Sequence, residues 1–466
     1  MAGWDKLPAL LKEELVQRTE EGCDVSGFKE RVDSAIDSGD EALQNKIYDE
    51  LMALPIRMDY RYVEPSDLTS IQLERPAGPR YLPDSSSPND WRDKFLGAWL
   101  GRCSGCALGK PLERGEFMHG YGVTGNPGWK NIQLWFEGAN AWPITGYTPG
   151  TSSAGKTWGL AHLHCEKSQR ENIRFMESDD DIRYTVLGLA LLEQKGRNFD
   201  TWDVGKHWHN HLTYGQVCTA ETQAYLNFSQ VTSHSEGWSN FKPADWQEKI
   251  EWVRTYRNPY REWIGAQIRV DGLAYGAAGN PELAAEFGWR DASLSHVKNG
   301  MYGEMFVAAM LAAAFVENDI DRIIQIGLSE IPGRSRLAEA IQQAVTIAHS
   351  ANSQVELVDR IWEAFKHYHP VHTINNAALV AASLVYAKDD FEKAITTAVL
   401  GGWDTDCNGA TVGSIMGAKL GAAALPKSWI FPLNDTLYAE VIGFHPIPIS
   451  ECAHRSEQVF WKLRSG

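Results

Sequence analysis

Apolar residues recur every three or four positions along most of the 466-residue chain, the spacing that places side chains on one face of an α-helix. Alternation of apolar and polar positions, which is typical of half-buried strands, is scarce. We therefore predict an all-α fold without sequence repeats or low-complexity tracts. The strongest helical patterns cover residues 183–193, 303–317, 321–328, 335–350, 353–362, 375–386 and 390–400.

The same pattern divides the chain into three parts. Residues 1–55 carry two apolar helical faces and predict a short N-terminal helical extension. Residues 56–90 contain five prolines with clustered Ser and Asp, which is typical of a linker or an irregular arm. Residues 91–466 form the predicted main domain. The apolar positions of the extension are Leu7, Leu10, Leu11, Leu15 and Val16 on one face, and Val32, Ile36, Leu43, Ile47 and Leu51 on the other.

Residues 117–160 interrupt the helical pattern with many Gly, Trp, Tyr and Pro residues. Loops of this length are usually functional, so we expect an irregular loop that lines a ligand cleft. Most of the 18 tryptophans are expected to pack in the core or in loops. Aromatic rings also stack on bases and sugars, and the tryptophans considered for that role are Trp129, Trp135, Trp142 and Trp158.

Composition narrows the function classes. The net charge of −16 and the pI near 5.4 argue against a nucleic acid or an anionic membrane as the main partner. The longest apolar run, residues 305–316, is too short to span a bilayer, and the N-terminus lacks the order of a signal peptide. Seven cysteines, an odd number, favour free thiols in a reducing compartment. We expect a cytoplasmic protein, and the oligomeric state stays open.

Two glycine ladders with four-residue spacing stand out. They run through Gly97, Gly101, Gly105 and Gly109, and through Gly409, Gly413, Gly417 and Gly421. Each ladder places its glycines on one helical face, where another backbone approaches closely. If the two helices pack antiparallel, Glu113 meets Asp404 and Asp406 beside a helix N-terminus that stabilises anions. Membrane-type pairing through G-x-x-x-G is disfavoured by Arg102 and Lys110.

A third carboxylate feature is the Ser-Asp-Asp-Asp run at 178–181, which precedes an apolar helical pattern. Ser and Asp at this place also cap helices, because their oxygens accept the first backbone N–H groups. Three consecutive acids repel one another unless a cation offsets their charge, and hard cations such as Mg²⁺ prefer oxygen ligands. Combined with Asp404 and Asp406, the run favours a metal site over a cap alone.

With these motifs in place, the sequence resembles the ADP-ribosylglycohydrolases over roughly residues 91–425. The family's Gly-rich helix that ends in a glutamate, its Thr-Asp-Asp motif and its closing Gly-Gly-Asp-Thr-Asp segment match residues 101–113, 178–180 and 401–418. The resemblance implies a compact orthogonal helical bundle with two Mg²⁺ ions, and Mn²⁺ as an alternative ion. The metal ligands that it implies are Ser178, Asp179, Asp180, Asp404 and Asp406.

The chemistry implied by the resemblance is hydrolysis of a glycosidic bond at the ribose anomeric carbon, through an oxocarbenium-like state. Metal ions orient the ribose hydroxyls and a water, while a carboxylate manages protons. Glu113, Asp179 and Asp180 are the candidates for that carboxylate. The implied substrate is ADP-ribosylated or a related ribosylated compound. A non-catalytic ADP-ribose-binding module and a hydrolase of small free ribosides or nucleosides are the alternatives.

Several positions depart from the family pattern. Cys106 stands where the family usually has Asp, and Ser178 replaces a threonine but keeps the hydroxyl. Cys407 stands where the family usually has a threonine metal ligand, and a thiol binds Mg²⁺ poorly, so Cys407 is not a predicted ligand. Trp403 is an extra residue in the closing motif. These departures favour a diverged substrate.

The segment 296–304 precedes the most apolar helical pattern of the chain. Family members have a polar Gly/Asn segment at a comparable place beside the substrate cleft. The resemblance therefore implies Asn299, Gly300 and Glu304 as substrate-binding residues. Helix capping is the alternative explanation for the segment.

Three other motifs compete with the metal site. Residues 150–157 fit the G-x-x-x-x-G-K-[ST] phosphate-loop pattern, but no buried strand is predicted before them, so a loop lining the ligand cleft is favoured. Cys103 and Cys106 have redox-motif spacing without a surrounding βαβ pattern. His207 and His211 have helical spacing for zinc, yet no further ligand follows, and we favour a surface or loop location for them.

Overall fold

The computed structural model describes residues 3–83, 87–160, 163–232 and 241–465. Within these ranges the all-α prediction is confirmed, because the only strands are the short antiparallel pair Thr436–Leu437 and Ile447–Pro448. The α-helices of the described residues are Leu7–Glu20, Phe28–Ser38, Glu41–Met52, Leu68–Glu74, Pro88–Gly109, Gly115–Met118, Gly128–Gly138, Ser153–Trp158, Asp180–Lys195, Thr201–His211, Thr219–Val231, Trp246–Thr255, Asp271–Gly276, Pro281–Ala292, Lys298–Ala314, Ile320–Leu328, Arg336–Ser350, Gln354–Phe365, Thr373–Ala387, Phe391–Leu400, Thr405–Leu420, Lys427–Ile430 and Ile449–Ser465.

The two glycine ladders pack against each other. The helix Pro88–Gly109, here the first glycine helix, runs antiparallel to Thr405–Leu420, the second glycine helix. A methyl group added at Gly105 would stand 1.9 Å from the carbonyl oxygen of Gly409, closer than any van der Waals contact allows. The two backbones are therefore in direct contact, and the end of the first helix lies beside the start of the second.

The helix Lys298–Ala314 runs through the interior and is buried along its length from its second residue onward. It packs on Pro281–Ala292 and on the second glycine helix. Its apolar run, which is too short to span a bilayer, is thus part of a core helix. In the described ranges, no helix has both the length and the apolar character that a membrane span requires.

The N-terminal extension contains three helices, and the buried face of the first one includes polar residues as well as leucines. Leu7, Leu10 and Leu11 are buried as predicted, whereas Val16 is 49% exposed. That helix turns Glu14 toward the main body instead of Val16, because Arg261 pairs with it. The apolar periodicity therefore predicted the helix but not its whole buried face.

Arg261 is the anchor of this extension. Its guanidinium donates to both oxygens of Glu14 at 2.8 Å and to both oxygens of Glu21 at 3.2 Å, and all three side chains are buried. Burial opposes ionisation of Glu21, but Arg261, Lys298 and Arg18 together hold the pKa of that carboxyl below its usual range. The extension is fixed to the main body by buried charge pairs.

We expect Arg261→Met to lower the free energy of unfolding by about 3–5 kcal/mol, because Glu14 and Glu21 would remain buried without their cation. Chemical denaturation of the full chain measures the loss. Arg31→Met removes a surface pair with Glu50 and should change stability by less than about 1 kcal/mol. Equal effects of the two substitutions would contradict the anchoring role.

Two segments are more regular than the sequence indicates. Residues 56–90 contain the helix Leu68–Glu74, and the backbone N–H of Val63 donates to the carbonyl of Arg334 at 2.9 Å. The expectation of one irregular loop over residues 117–160 is wrong, because the amphipathic helix Gly128–Gly138 lies within it. The division into three domains stays a prediction.

Candidate metal centre

Three helix termini converge on one acidic cluster. The second glycine helix begins directly after Asp404, and the helix Asp180–Lys195 begins directly after Asp179. The first glycine helix continues through one short turn to Glu113. Because the glycine helices are antiparallel and in backbone contact, the end of one and the start of the other deliver their side chains to the same place.

The cluster has two overlapping groups of potential metal ligands. One ligand atom from each of Cys106, Asp179, Asp181 and Asp406 lies within 4.8 Å of the others, and the same holds for Asp404, Asp406 and Cys407. All six side chains are buried. The structure thus brings together the predicted residues Asp179, Asp404 and Asp406, although they come from two distant parts of the chain.

Asp180 and Glu113 face a cavity beside this cluster. The cavity has a volume of about 390 Å³, and Asp404 and Cys407 form its floor together with them. The protein encloses this cavity, and the side chain of Glu113 is exposed to the solvent inside it. Glu113 and Asp180 are therefore the carboxylates that a bound molecule reaches most easily, while Asp404 is buried at the cavity floor.

Uncompensated negative charge dominates the cluster. The protein around the cleft desolvates the Glu113 carboxyl, and the neighbouring carboxylates Asp404 and Asp179 add to this effect, so the pKa of Glu113 is raised above its usual range. Burial and Asp179 raise the pKa of Asp180 to about 7. Burial and neighbouring acids likewise raise the pKa of Asp406. Carboxylates that repel one another in this way are stabilised by a bound cation.

Two cluster carboxylates have cationic partners, because Arg102 pairs with Asp181 at 3.0 Å and Lys110 pairs with Asp179. Burial opposes ionisation of Asp179, but the Lys110 ammonium overcomes that effect and holds the pKa of this carboxyl below its usual range. One Asp179 oxygen also accepts the backbone N–H of Asp181 at 3.0 Å and caps the helix. The cap predicted from sequence and the acidic cluster therefore share one residue.

Orphaned oxygens indicate what the cluster can hold. Asp404 Oδ1, Asp406 Oδ1 and Asp181 Oδ2 are buried and have no hydrogen-bond partner in the described structure. Buried carboxylate oxygens without a partner are costly, and a hard cation such as Mg²⁺ or Mn²⁺ satisfies them. The donor set of this structure fits such a cation.

The two cysteines at the cluster do not change this assignment. Burial and the adjacent carboxylates raise the pKa of Cys106 and of Cys407 above the usual thiol range. A thiol binds metals as the thiolate, and soft sulfur is a poor partner for Mg²⁺. Oxygen atoms of the aspartates are the better ligands here.

The remaining predicted ligand, Ser178, has partners outside the cluster. Its hydroxyl donates to Glu440 Oε2 at 3.1 Å and accepts from Arg183 Nη2 at 2.9 Å. These contacts do not support a metal-binding role for Ser178, which stays a prediction.

The predicted substrate-binding residues lie in the protein interior and do not line the cavity. Asn299 donates to Glu262 and Glu64, and its oxygen accepts the backbone N–H of Leu337 at 3.0 Å. Gly300 lies against the backbone of residue 261, where an added methyl group would meet a carbonyl at 2.6 Å. Glu304 is buried 3.9 Å from an Arg269 nitrogen. Their contacts are structural, so the structure does not support substrate binding by them.

Several site residues were missed by the sequence reasoning. Asp181 belongs to the predicted acidic run but was not among the predicted ligands, and Lys110 joins the cluster through its pair with Asp179. Asn376 fixes the closing turn, because its oxygen accepts from Asn408 at 2.7 Å and from the backbone N–H of Asp404 at 3.3 Å. Ion-pair partners and turn contacts of this kind leave no periodic pattern in a sequence.

The four tryptophans considered for stacking fit the expectation of core or loop packing, and Trp129 and Trp135 are buried. Trp403 is buried and stacks on Trp362, with ring centroids 5.1 Å apart. None of the four tryptophans considered for stacking lines the cavity, whereas Trp4 and Trp263 do. Trp4 belongs to the N-terminal extension, so that extension forms part of the cavity wall.

The competing motifs have other structural roles. Within the phosphate-loop pattern, Ser152 caps the six-residue helix Ser153–Trp158, and no strand precedes it among the described residues. The expected surface or loop location is wrong for His207, because it is buried in the helix Thr201–His211. It contacts the carbonyl oxygen of Leu187 at 3.1 Å, and burial lowers its pKa to about 3. Cys103 is buried in the first glycine helix. None of the three motifs has the setting that its alternative function requires.

Comparison with known proteins identifies the family. The sequence model of the ADP-ribosylglycohydrolase family matches residues 87–450, which is most of the chain. The chain therefore belongs to this family and is a glycosidase-type hydrolase. Family members are metal-dependent and act on ADP-ribosylated substrates.

A solved structure described as an ADP-ribosylglycohydrolase-related protein complex is similar to this chain. The two are 17% identical, with a TM-score of 0.46, and the match covers 80% of this chain and 99% of the other. No curated protein matches the sequence.

Proposed function

We propose that the protein hydrolyses the glycosidic bond at the anomeric carbon of a ribosylated substrate, with Mg²⁺ or Mn²⁺ held in the acidic cluster. The observation that supports this most strongly is the set of buried carboxylate oxygens without partners beside a cavity that also exposes Glu113. A hydrolase of this kind needs a cation site, a substrate cavity and a carboxylate that reaches the reacting atoms.

The aspartates would hold the metal ions. Asp179, Asp404 and Asp406 are the ligands that geometry favours, and Asp181 extends their group. When bound, the cations supply charge stabilisation and a binding surface for the ribose hydroxyls and a water. Lys110 keeps Asp179 ionised, and Asn376 holds the turn that carries Asp404, so these residues position the ligands.

Glu113 is the favoured carboxylate for proton transfer. It is exposed to the cavity, whereas Asp179 is committed to Lys110 and to a backbone N–H group. Its side chain can take a proton from water or hold one near the leaving group. Asp180 shares the cavity wall and is the second candidate for this role.

We expect hydrolysis of ribosylated compounds to require a divalent cation. The test is a screen of ADP-ribosylated amino acids and simple ribosides with the full chain, with Mg²⁺, with Mn²⁺ or with chelator. Turnover should disappear in chelator and return when Mg²⁺ or Mn²⁺ is restored. Equal turnover with and without chelator would contradict the proposed metal dependence.

The two cluster cysteines make a second function testable in the same screen. If the centre binds ADP-ribose with metal but does not turn over, the protein is a non-catalytic binding module. The observation that favours this alternative is the position of Cys106 and Cys407 among the metal-site carboxylates. Binding measured by calorimetry without product formation would decide for it.

A further inference from the structure

The cavity beside the acidic cluster has one wall made by the N-terminal extension. Trp4, Asp5 and Glu13 line it from that side, and Tyr260 and Trp263 line it from the main body. The family model begins at residue 87, so this wall lies outside the matched region. The extension therefore contributes to the shape of the cavity in addition to its own small core.

This wall is held in place. Tyr260 donates from its hydroxyl to Asp5 Oδ2 at 2.7 Å, and Tyr214 donates to the carbonyl oxygen of Gly3 at 3.0 Å. The helix that carries Glu13 is anchored by the buried pairs of Arg261 described above. Side chains fixed on both sides of a cavity can select its occupant by shape and charge.

Flat aromatic rings form part of the lining. Trp263 stacks on His369 with ring centroids 4.2 Å apart and an angle of 8°, and Tyr260 meets Trp263 edge to face at 4.7 Å. Trp4 is 49% exposed, so its ring is free to contact a ligand. Faces of this kind bind planar rings and cations.

The charge of the lining is one-sided. Six carboxyl side chains border the cavity, those of Asp5, Glu13, Glu113, Asp180, Glu221 and Asp404. Glu221 is paired with the buried Arg269 behind the lining at 2.7 Å, so the other five carry the negative charge. Among the described residues that line it, none is a lysine or an arginine. Burial lowers the pKa of His369 to about 4, with His119 and His372 adding to the effect, so this ring is neutral at pH 7.

Asp5 and Glu13 place part of the negative charge of the lining on the N-terminal wall, away from the metal ligands. Burial raises the pKa of Glu13, and the nearby Asp5 and Glu20 raise it further, which shows that these acids are close to one another. Metal ions at the aspartate cluster would offset the charge of the floor but not that of this wall. A cation at the wall would relieve the repulsion.

We propose, building on the function above, that this cavity takes a cationic N-riboside, a ribose whose anomeric carbon carries a positively charged planar nitrogen heterocycle. The ribose would lie over the acidic floor, and the cationic ring would lie between Trp4, Trp263 and the acids of the N-terminal wall. The diphosphate of an ADP-ribosyl group has the opposite charge and would face carboxylates with no cationic side chain in the lining.

The reaction balances without a co-reactant other than water. The bond between C1′ and the ring nitrogen breaks, and its electron pair moves to the nitrogen, so the cationic ring leaves as a neutral base. The water oxygen forms the new bond to C1′. Glu113 takes the proton that water releases and passes it to solvent. A leaving group of this type needs no proton from an acid.

Three substrates distinguish a preference for a cationic riboside from a preference for an ADP-ribosyl compound or for a neutral riboside. Nicotinamide riboside carries the cationic ring on a free ribose, NAD⁺ carries the same bond with a diphosphate, and inosine carries a neutral base. With Mg²⁺, we expect kcat/KM for nicotinamide riboside to exceed that for NAD⁺ and that for inosine by at least about tenfold. A preference for NAD⁺ or for inosine would overturn the inference while leaving the proposed glycosidase function intact.

A binding measurement with a compound that cannot be hydrolysed tests the N-terminal wall independently of catalysis. The N-methylnicotinamide cation cannot be hydrolysed, and calorimetry without metal should show it binding at least about tenfold tighter than neutral nicotinamide. If no riboside is hydrolysed but this cation binds selectively, the proposed function fails and the cation pocket stands. Equal binding of the two compounds would overturn the pocket.

Two variants test whether Trp4 and Glu13 of the N-terminal wall bind the cationic riboside. Trp4→Ala and Glu13→Gln should each raise KM for nicotinamide riboside about tenfold, with kcat changed less than about twofold, because they remove binding and not chemistry. The matched controls are Trp158→Ala, an exposed tryptophan outside the cavity, and Glu30→Gln, an exposed glutamate of the extension. The controls should leave both constants unchanged. Wild-type KM in both wall variants would overturn the assignment.

Discussion

Asp406→Asn is expected to lower kcat/KM for the metal-dependent hydrolysis by more than about 100-fold. Asp406 is the residue that the two ligand groups of the cluster share, and one of its oxygens is buried without a partner. Loss of outer partners of a metal ligand alone costs roughly 10–100-fold in affinity or activity, so loss of a shared ligand should cost more. Steady-state kinetics at several Mg²⁺ concentrations measures the effect.

The same substitution should not reduce stability in the metal-free protein. Burial and neighbouring acids raise the pKa of Asp406, and asparagine removes that repulsion. Metal-free Asp406→Asn should therefore be at least as stable as the wild type in thermal unfolding. Asp33→Asn removes an exposed acid of the extension and serves as the control, with activity and metal dependence unchanged. Retention of wild-type kcat/KM in Asp406→Asn would rule out the proposed centre.

Gly105→Ala is expected to destabilise the fold strongly. The added methyl group would stand 1.9 Å from the carbonyl oxygen of Gly409, and that oxygen belongs to a helix backbone that cannot rotate away. The glycine helices would have to separate, which we expect to lower the free energy of unfolding by about 3 kcal/mol or more. Because these helices carry Cys106 and Asp406 to the cluster, metal affinity should fall as well.

A helical glycine elsewhere provides the control. Gly155 lies in the helix Ser153–Trp158, and its nearest neighbours to an added methyl group are at 3.5 Å, an ordinary contact. Gly155→Ala should be neutral or stabilising by up to about 1 kcal/mol, since alanine favours helices. Chemical denaturation of both variants gives the comparison. Equal stability of the two would show that the ladder contact is unimportant.

The sequence predicted the features that depend on regularly spaced residues or on acids at the start of a helix. The four-residue glycine spacing predicted close helix packing. It left open which helices meet and in which direction, and the structure shows the two glycine helices antiparallel, with Gly105 against Gly409. Acids at helix starts predicted the meeting of Asp179 with Asp406. Family membership is confirmed over residues 87–450.

Features that depend on single long-range contacts were not predictable from the sequence. Val16 was expected in the core and is exposed, because the first helix turns Glu14 toward Arg261, which lies 247 residues away in sequence. Asn299 was expected at the substrate and instead bonds to Glu262. A buried ion pair leaves no periodic pattern in the sequence. It can also turn a helix so that a polar side chain takes a place on the buried face.

The cavity wall was missed for a related reason. Trp4 precedes the first predicted helix and lies far from any recognised motif, and only the folded chain brings it opposite Trp263. Tryptophans were considered in residues 117–160, where many Gly, Tyr and Pro residues accompany them. The rings that face the cavity are those at the boundary between the extension and the main body.

The most direct test of the metal centre is the anomalous scattering of Mn²⁺ in crystals of the full chain grown with that ion. We expect anomalous peaks within bonding distance of the carboxylates of Asp179, Asp404 and Asp406, and their weakening or loss in Asp406→Asn crystals. Wild-type crystals saturated with Mn²⁺ that show no peak at these carboxylates would contradict the proposed metal centre.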